Sequence, residues 1–329
     1  MHSESDDGLT HFKQKGNNHM ENLNKNISFE DITGDIPYNM TNDYMFRAVL
    51  QKNQFVLKGL VGSLLHLDPK SLEVEVTNPI KLGESFENKD FILDVNVKVN
   101  NKTLLNLEMQ IINYGNWKER SLSYLCRSFD NVYKSHDYLE ASPVIQISFL
   151  DFELFPEYPE FFSTYMFQNI KNHIIYTDKL QFSVVELKNI ELATQEDRLY
   201  GIDGWAALFK SKTWEELKSM AAINEYMKSA AETIYEVSSD ENIREQCRRR
   251  AEFESYERYI NNLISNQKAT IADLKQINAD KDATIADKDA TIADKNATIA
   301  DKDATIADRE AEIARILAEN AKLKELLNK

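Results

Sequence analysis

The stretch that decides the fold runs from Leu93 to Gln110 and has the sequence LDVNVKVNNKTLLNLEMQ. Apolar and polar residues alternate on both sides of Asn100-Asn101-Lys102, which is the pattern of two half-buried strands joined by a turn. Asp94 falls in the first strand and Glu108 in the second. We therefore predict a hairpin that brings one carboxylate from each strand to a common face.

The register of this hairpin follows from side-chain chemistry. Strand side chains alternate between faces, so a slip of one residue moves every apolar side chain to the wrong face. If Asp94 lies opposite Glu108, apolar residues face apolar residues along the pair. A two-residue turn would instead set Asp94 opposite Leu107. The sequence therefore predicts a connection with an odd number of residues, centred on Asn101, where asparagine tolerates the positive φ of such loops.

Two opposed carboxylates can share a divalent cation, because directly opposed residues have Cβ atoms roughly 5 Å apart. Mg²⁺ takes oxygen ligands, usually one or two carboxylates and several waters. Such an ion can neutralise a phosphodiester and generate the nucleophile that hydrolyses it. We interpret Asp94 and Glu108 as ligands of Mg²⁺, with Mn²⁺ as a substitute. The alternative is a hairpin whose outer face happens to be acidic.

The rest of the chain predicts an α/β fold with a mixed sheet, in the order α, β, β, α, β, β, α. A helical pattern opens at Asn42 to Phe46 and continues in apolar residues to Leu65. Helices are also expected from Trp117 to Tyr138, Trp205 to Phe209, Thr213 to Met227 and from Asn242 onward. Strands are expected at Ile80 to Val99, Thr103 to Ile112, Pro143 to Leu150, Asn172 to Tyr176 and Leu180 to Leu187. We assign residues 1–35 to a disordered polar leader without a secretory signal, and 36–240 to the folded domain.

Composition narrows the class of protein. The net charge of −15 argues against a protein that binds nucleic acid through overall positive charge. No apolar run approaches the roughly 20 residues of a transmembrane helix. Cys126 and Cys247 lie far apart and lack metal-ligand spacing, which indicates a reduced, cytoplasmic protein.

From residue 241 to 329 we expect a helical linker followed by a coiled coil. The segment DKDATIA, starting at Asp280, recurs almost unchanged to Ala307 with a period of seven residues. Isoleucine at heptad position a favours two strands, so the pattern predicts a homodimer. Lysine at position d weakens the middle of the coil and leaves firm pairing to Ile313–Leu327. The alternative is a single solvated helix.

Four segments together resemble a known family, the PD-(D/E)xK nuclease family transposases, also called recombination-promoting nucleases. The likeness covers Ile36 to Phe209. The segments are NDYMFR at 42–47, KDFILDV at 89–95, NLEMQ at 106–110 and RSLSY at 120–124.

The resemblance implies a restriction-endonuclease-like core and Mg²⁺-dependent cleavage of DNA in recombination or mobile-element biology. Asp94 and Glu108 match the metal carboxylates, and Asp43 matches an acidic residue on the first helix. Gln110 occupies the place of the motif lysine. Glutamine can position a water but carries no charge to stabilise hydroxide, which predicts a lower intrinsic rate.

Three further residues are candidates for contact with DNA phosphates. Arg120 and Tyr124 lie one helical turn apart and share a face. The alternative for this pair is a helix cap and an aromatic at the edge of the core. Lys89 precedes the first strand and is expected to attract the DNA backbone, unless it is simply a solvated lysine.

Two functions from different classes fit these residues. The first is a DNA endonuclease of transposase type, dimerised through its C-terminal helix. The second is a catalytically weak nuclease fold that binds DNA or protein. A purely structural coiled-coil scaffold fits less well, because the larger and more varied part of the chain precedes the coil.

Overall fold

The computed structural model describes residues 27–82, 94–131 and 141–327. The chain divides into two compact units, one ending at Arg258 and the other beginning at Tyr259. Lys89 and residues 1–26 of the predicted leader lie outside the described residues. Residues 27–35 belong to the first unit, where Ile32 is buried and its carbonyl accepts a hydrogen bond from Lys218. The domain boundary at residue 240 stays a prediction.

In the described part of the chain, six strands form one mixed sheet in the order β1-β2-β3-β4-β6-β5. Strands β3, β4 and β6 run parallel, whereas β1, β2 and β5 pair antiparallel with their neighbours. The strands are β1 (Val74–Val76), β2 (Val95–Val99), β3 (Thr103–Gln110), β4 (Val144–Leu150), β5 (Phe162–Met166) and β6 (Leu180–Glu186).

Helices precede, interrupt and follow these strands. They are α1 (Asp43–Lys52), α2 (Gln54–Leu65), α3 (Trp117–Asn131), α4 (Gln195–Leu199), α5 (Ile202–Lys210), α6 (Trp214–Ala221), α7 (Glu225–Ser239) and α8 (Glu241–Leu327), with short 3-10 helices at Pro69–Ser71 and Leu187–Leu192. The prediction of a mixed sheet flanked by helices and followed by a long C-terminal helix is confirmed.

The hairpin of β2 and β3 has the predicted register. Val95 pairs with Leu107 and Val99 with Thr103, which leaves a three-residue connection centred on Asn101. Asn100 and Asn101 adopt φ values of 49° and 55°, the left-handed region that asparagine tolerates. The hydrophobic pattern and the turn residues therefore agree on one register.

The two faces of the sheet differ in chemistry. On one face, α1 packs on β2 and β3, and the rings of Phe46, Phe149 and Phe209 meet edge to face with centroids 5.1 to 5.6 Å apart. On the other face, α3 packs on β4 and β6 through Trp117. Buried polar side chains, Glu108 and Gln146 among them, lie on this second face.

Three predicted elements need correction. Asn172 to Tyr176 is not a strand, because the side chains of Asn169 and Asn172 accept hydrogen bonds from nearby backbone amides, which favours turns over strand pairing. The neighbouring edge strand is β5 instead. The predicted helix from Thr213 to Met227 is two helices, since Asn224 caps the start of α7 by accepting a hydrogen bond from the Met227 amide.

The third correction concerns the strand predicted from Ile80 to Val99, of which residues 83–93 lie outside the described residues. The strand β2 begins at Val95. The Ile80 amide donates to the side chain of Gln51 at 2.9 Å rather than to a neighbouring strand. Strand β1, which pairs with β2, was not predicted, because its three residues are too short to show an alternating pattern.

In the second unit, the helix α8 presents the isoleucine column of the heptad repeat at its surface. Each of Ile285, Ile292, Ile299, Ile306 and Ile313 exposes between 54% and 57% of its surface. The threonine of each repeat donates to a carbonyl one turn earlier, as Thr284 does to Asp280. Among the described helices, α8 included, none has the length and apolarity needed to cross a membrane.

Candidate active site

The site begins where β2 and β3 carry their acidic residues. Asp94 directly precedes β2, and continuing the observed register by one residue sets it opposite Glu108 in β3. Glu108 is only 4% exposed, and Asp94 is partly buried. The hairpin turn and the alternation of side chains therefore place two carboxylates together on the polar face of the sheet.

A buried arginine fixes the backbone at Asp94. Arg47, on α1, is fully buried and donates hydrogen bonds to the carbonyls of Asp94 and Asn78. The side chain of Asn78 also donates to the Asp94 carbonyl, at 3.0 Å. Burial lowers the pKa of Arg47 to about 10. This arginine therefore remains charged near neutral pH, with its donors committed to positioning the chain.

Both oxygens of Glu108 have partners. Arg120 Nη2 lies 2.5 Å from Oε1, and Gln146 Nε2 donates to Oε2 at 3.3 Å. Arg120 Nη2 also donates to Oε1 of Gln110, whose amide nitrogen donates to the Ile112 carbonyl at 2.8 Å. The Gln110 oxygen is thereby turned toward Arg120, so Glu108 and Gln110 share one guanidinium.

Two aromatic rings hold that guanidinium. Its central carbon lies 4.8 Å from the Trp117 ring centroid and 5.7 Å from that of Tyr124, with all three residues on α3. The Arg120 side chain is 25% exposed, and its buried Nε has no hydrogen-bond partner among the described residues. Arg120 is therefore partly exposed at the edge of the site, although its Nε is buried.

The third acidic residue comes from the start of α1. Asp43 is 7% exposed, and its Oδ2 accepts a hydrogen bond from Arg250 Nε at 2.6 Å. Its Oδ1 is buried without a hydrogen-bond partner in the described part of the chain. Glu254, also buried, lies 3.3 Å from the same Arg250 nitrogen. The first turns of α8 therefore form one wall of the site.

Burial raises the pKa values of all three carboxylates, and the charge of Asp94 raises those of Glu108 and Asp43 further. Burial, followed by the charge of Asp94, raises the pKa of Glu108 to about 8, although Arg120 opposes this shift. Burial also raises the pKa of Asp43 to about 6, with Asp94 again contributing. The pKa of Asp94 is raised by burial and lowered by Asn106, Arg120 and Arg47. Crowded, desolvated carboxylates of this kind are typical of functional sites.

This donor set fits a hard divalent cation. Asp94 and Glu108 supply the one or two carboxylates that Mg²⁺ usually takes, and the orphaned Oδ1 of Asp43 is a further acceptor nearby. Within the described ranges, no group of three or more His, Cys, Asp or Glu residues converges to hold a metal by itself. Water would complete the coordination, and Glu108 would divide its charge between the ion and Arg120.

Six of the predicted site residues lie in this cluster: Asp43, Asp94, Glu108, Gln110, Arg120 and Tyr124. Lys89 lies outside the described residues. Sequence reasoning missed Gln146 and Glu254, and it interpreted Arg250 as part of a charged helix face, with phosphate contact as the alternative. Arg250 belongs to a run of three arginines, and its spacing of four residues from Glu254 was the available signal for an ion pair on one helix face.

The family model described as PD-(D/E)XK nuclease family transposase matches residues 40–260 of the chain. This match includes the hairpin, α3 and the first turns of α8. No curated protein and no solved structure shows a significant match.

Proposed function

Because the chain belongs to the PD-(D/E)XK nuclease family transposases, we propose that it is a Mg²⁺-dependent DNA endonuclease that acts in recombination. The observation that carries this proposal is the pair formed by Asp94 and Glu108, two neighbouring carboxylates with raised pKa values on a mostly buried sheet face. Such a pair is costly without a cation, since the interaction of like charges and the loss of hydration both disfavour the ionised forms.

The residues take the following roles in this proposal. Asp94 and Glu108 hold Mg²⁺ or Mn²⁺, and Asp43 adds negative charge beside them. The bound ion would neutralise phosphate charge and supply a nucleophile from water. Gln110 orients that water through its amide, while Arg120 and Tyr124 contact DNA phosphate. Lys89 attracts the DNA backbone.

The test is cleavage of a supercoiled plasmid by the purified full chain with Mg²⁺ or Mn²⁺, beside an EDTA control. Asp94→Asn and Glu108→Gln should each abolish nicking, because both remove a negative ligand with little change in shape. Glu75→Gln, an exposed carboxylate on β1, is the matched control and should cleave like the wild type. Metal-dependent nicking that survives both site variants would contradict the proposed site.

One observation favours the alternative, a catalytically weak nuclease fold that binds DNA or protein. Gln110 carries no charge, and Arg120 already occupies an oxygen of Glu108. This alternative expects no nicking by the wild type and equal DNA binding by the wild type and Glu108→Gln. Fluorescence anisotropy with a labelled duplex, run beside the plasmid assay, separates the two functions.

We also propose a homodimer formed through α8. The half-exposed isoleucine column from Ile285 to Ile313 supports pairing with a second copy, since isoleucine at position a favours two strands.

A cytoplasmic location fits the free thiols of Cys126 and Cys247, because disulfides are rare in that compartment. Fractionation of cells that produce the protein tests the location, and recovery outside the cytoplasm would contradict it.

A further inference from the structure

The site needs positive charge where negative charge develops on the phosphate during hydrolysis, and preorganised donors are the most effective source. The strand position two residues after Glu108 holds the neutral Gln110. Three arginines in the described part of the chain act on Asp43, Asp94 or Glu108, namely Arg47, Arg250 and Arg120. Their surroundings decide which of them is able to supply the charge.

Arg47 and Arg250 are committed elsewhere. Arg47 is fully buried, and its three donor nitrogens bond to Gln51 and to the carbonyls of Asp94 and Asn78. Arg250 is enclosed by two carboxylates, those of Asp43 and Glu254. Arg47 is therefore unable to reach a phosphate, and the charge of Arg250 is already offset by two carboxylates.

Arg120 differs from both. Its contacts with Glu108 and Gln110 use Nη2 alone, and its buried Nε is unpartnered among the described residues. Its side chain is 25% exposed, close to the 21% of Arg250, so charge separates the two arginines. Arg250 contacts two carboxylates, whereas Arg120 contacts one carboxylate and one neutral amide. The guanidinium fork matches the geometry of a phosphate. The rings of Trp117 and Tyr124 restrict its movement, so the charge is held in place before substrate arrives.

We propose that Arg120, delivered from α3, supplies the transition-state charge that Gln110 lacks, so that one strand residue orients the water and one helix residue stabilises the phosphate. This inference rests on the proposed nuclease function. It predicts that Arg120 acts mainly on the rate of the chemical step, because its interaction strengthens as charge develops.

The experiment compares four variants in single-turnover cleavage of a labelled duplex, with DNA affinity measured separately by anisotropy. Arg120→Gln should lower the cleavage rate by about 10²- to 10³-fold, the cost of losing one preorganised donor, with a much smaller change in affinity. Arg120→Lys should recover part of the rate. Arg127→Gln removes an exposed arginine from the same helix and should behave like the wild type.

The fourth variant exchanges the position of the charge. Gln110→Lys combined with Arg120→Gln places a cation on the strand and removes it from the helix. It should cleave at least about tenfold faster than Arg120→Gln, since the site regains a charge beside Glu108. If Arg120→Gln fails to fold, the exchange variant becomes the decisive test of the inference, because it keeps a cation beside Glu108. A folded exchange variant that does not cleave would contradict the inference.

Other outcomes separate the inference from the function beneath it. A wild-type protein that cleaves, together with an Arg120→Gln variant that cleaves equally well, overturns the inference alone. An equal loss of rate and affinity in Arg120→Gln also overturns it, because Arg120 would then serve binding only. A wild-type protein that does not cleave overturns the proposed function, and the inference with it.

Discussion

Arg250 Nε donates to Asp43 Oδ2 at 2.6 Å, and this ion pair joins residues 207 positions apart in the sequence. It connects the first helix of the nuclease-family unit to the first turns of α8. Both side chains are largely buried, and Glu254 lies on the other side of the guanidinium. The start of α8 is therefore part of the site.

Removal of one partner of this ion pair should lower the free energy of unfolding. Arg250→Met leaves Asp43 buried without its counter-charge and leaves Glu254 with the weaker influence of Arg258, and we expect it to lower the free energy of unfolding by about 3 kcal/mol. Adding Asp43→Asn should return part of that loss, because the uncompensated charge disappears. Urea unfolding of both variants measures the difference. Arg249→Met, which breaks an exposed ion pair with Glu245, should lower the free energy of unfolding by less than about 1 kcal/mol. Equal losses for Arg249→Met and Arg250→Met would contradict the prediction.

Glu254 should make stability depend on pH. Burial, followed by the charge of Asp43, raises its pKa from 4.5 to about 8. The folded state therefore binds this proton more tightly than the unfolded state, so this contribution to stability is present at low pH and is lost as the pH rises toward 8. We expect Glu254→Gln to raise the free energy of unfolding by about 1 to 2 kcal/mol near pH 8, and by much less near pH 5.

Thermal or urea unfolding at these two pH values provides the check. Glu252→Gln is the matched control, since that carboxylate lies on the same helix, is 64% exposed and pairs with Arg248. Glu252→Gln should change the free energy of unfolding by less than about 1 kcal/mol at both pH values. If Glu254→Gln is less stable than the wild type by the same amount at both pH values, the prediction is wrong. The Glu254 carboxylate would then stabilise the fold through its contacts rather than destabilise it through its burial.

The turn that fixes the register of β2 and β3 should be sensitive to side-chain branching. Asn101 has a φ of 55°, and a β-branched residue there should cost about 1 to 2 kcal/mol. We expect Asn101→Val to be destabilising by this amount and Asn101→Gly to be close to neutral. Lys102→Val, in the same turn but without a positive φ, controls for the effect of valine itself. If urea unfolding shows that Lys102→Val destabilises the protein as much as Asn101→Val, the positive φ of Asn101 is not the cause of the effect.

The hairpin could be predicted because its information is local. A period of two residues places Asp94 and Glu108 on one face, and the apolar pairs Val95 with Leu107 and Val97 with Leu105 select one register. Two of the four segments that carry the family likeness, 89–95 and 106–110, fall in or overlap this stretch. The core of the site therefore follows from one stretch of eighteen residues, Leu93 to Gln110.

The remainder of the site could not be predicted in this way, since its contacts join distant parts of the chain. Arg250 and Asp43 lie 207 positions apart, so no local pattern pairs them, and the arginine run alone is typical of a solvated helix face. Gln146 reaches Glu108 across two parallel strands whose pairing depends on the intervening helix α3. The family match to residue 260 includes this part, whereas the likeness recognised from motifs ends at Phe209.

The false strand at Asn172 to Tyr176 has a different cause. Its apolar residues suggest a strand, yet Ile174 and Tyr176 are 65% and 88% exposed, and His173 has a φ of 58°. Asparagine side chains there bond to the local backbone and stabilise turns. Residue composition misleads when side-chain to backbone hydrogen bonds compete with strand pairing.

The proposed dimer makes two predictions about α8, both measured by light scattering coupled to size-exclusion chromatography. The variant that lacks two repeats, residues 281–294, should remain dimeric. The deletion preserves the heptad register, and the firmest pairing is expected at Ile313–Leu327. Ile313→Asp should weaken dimerisation by more than about tenfold, since it places a charge in the apolar column. Ala318→Asp is the matched control at heptad position f, opposite the column, and should remain dimeric. A wild-type chain that is monomeric at tens of micromolar, about the range where weak coiled coils pair, would favour the single solvated helix.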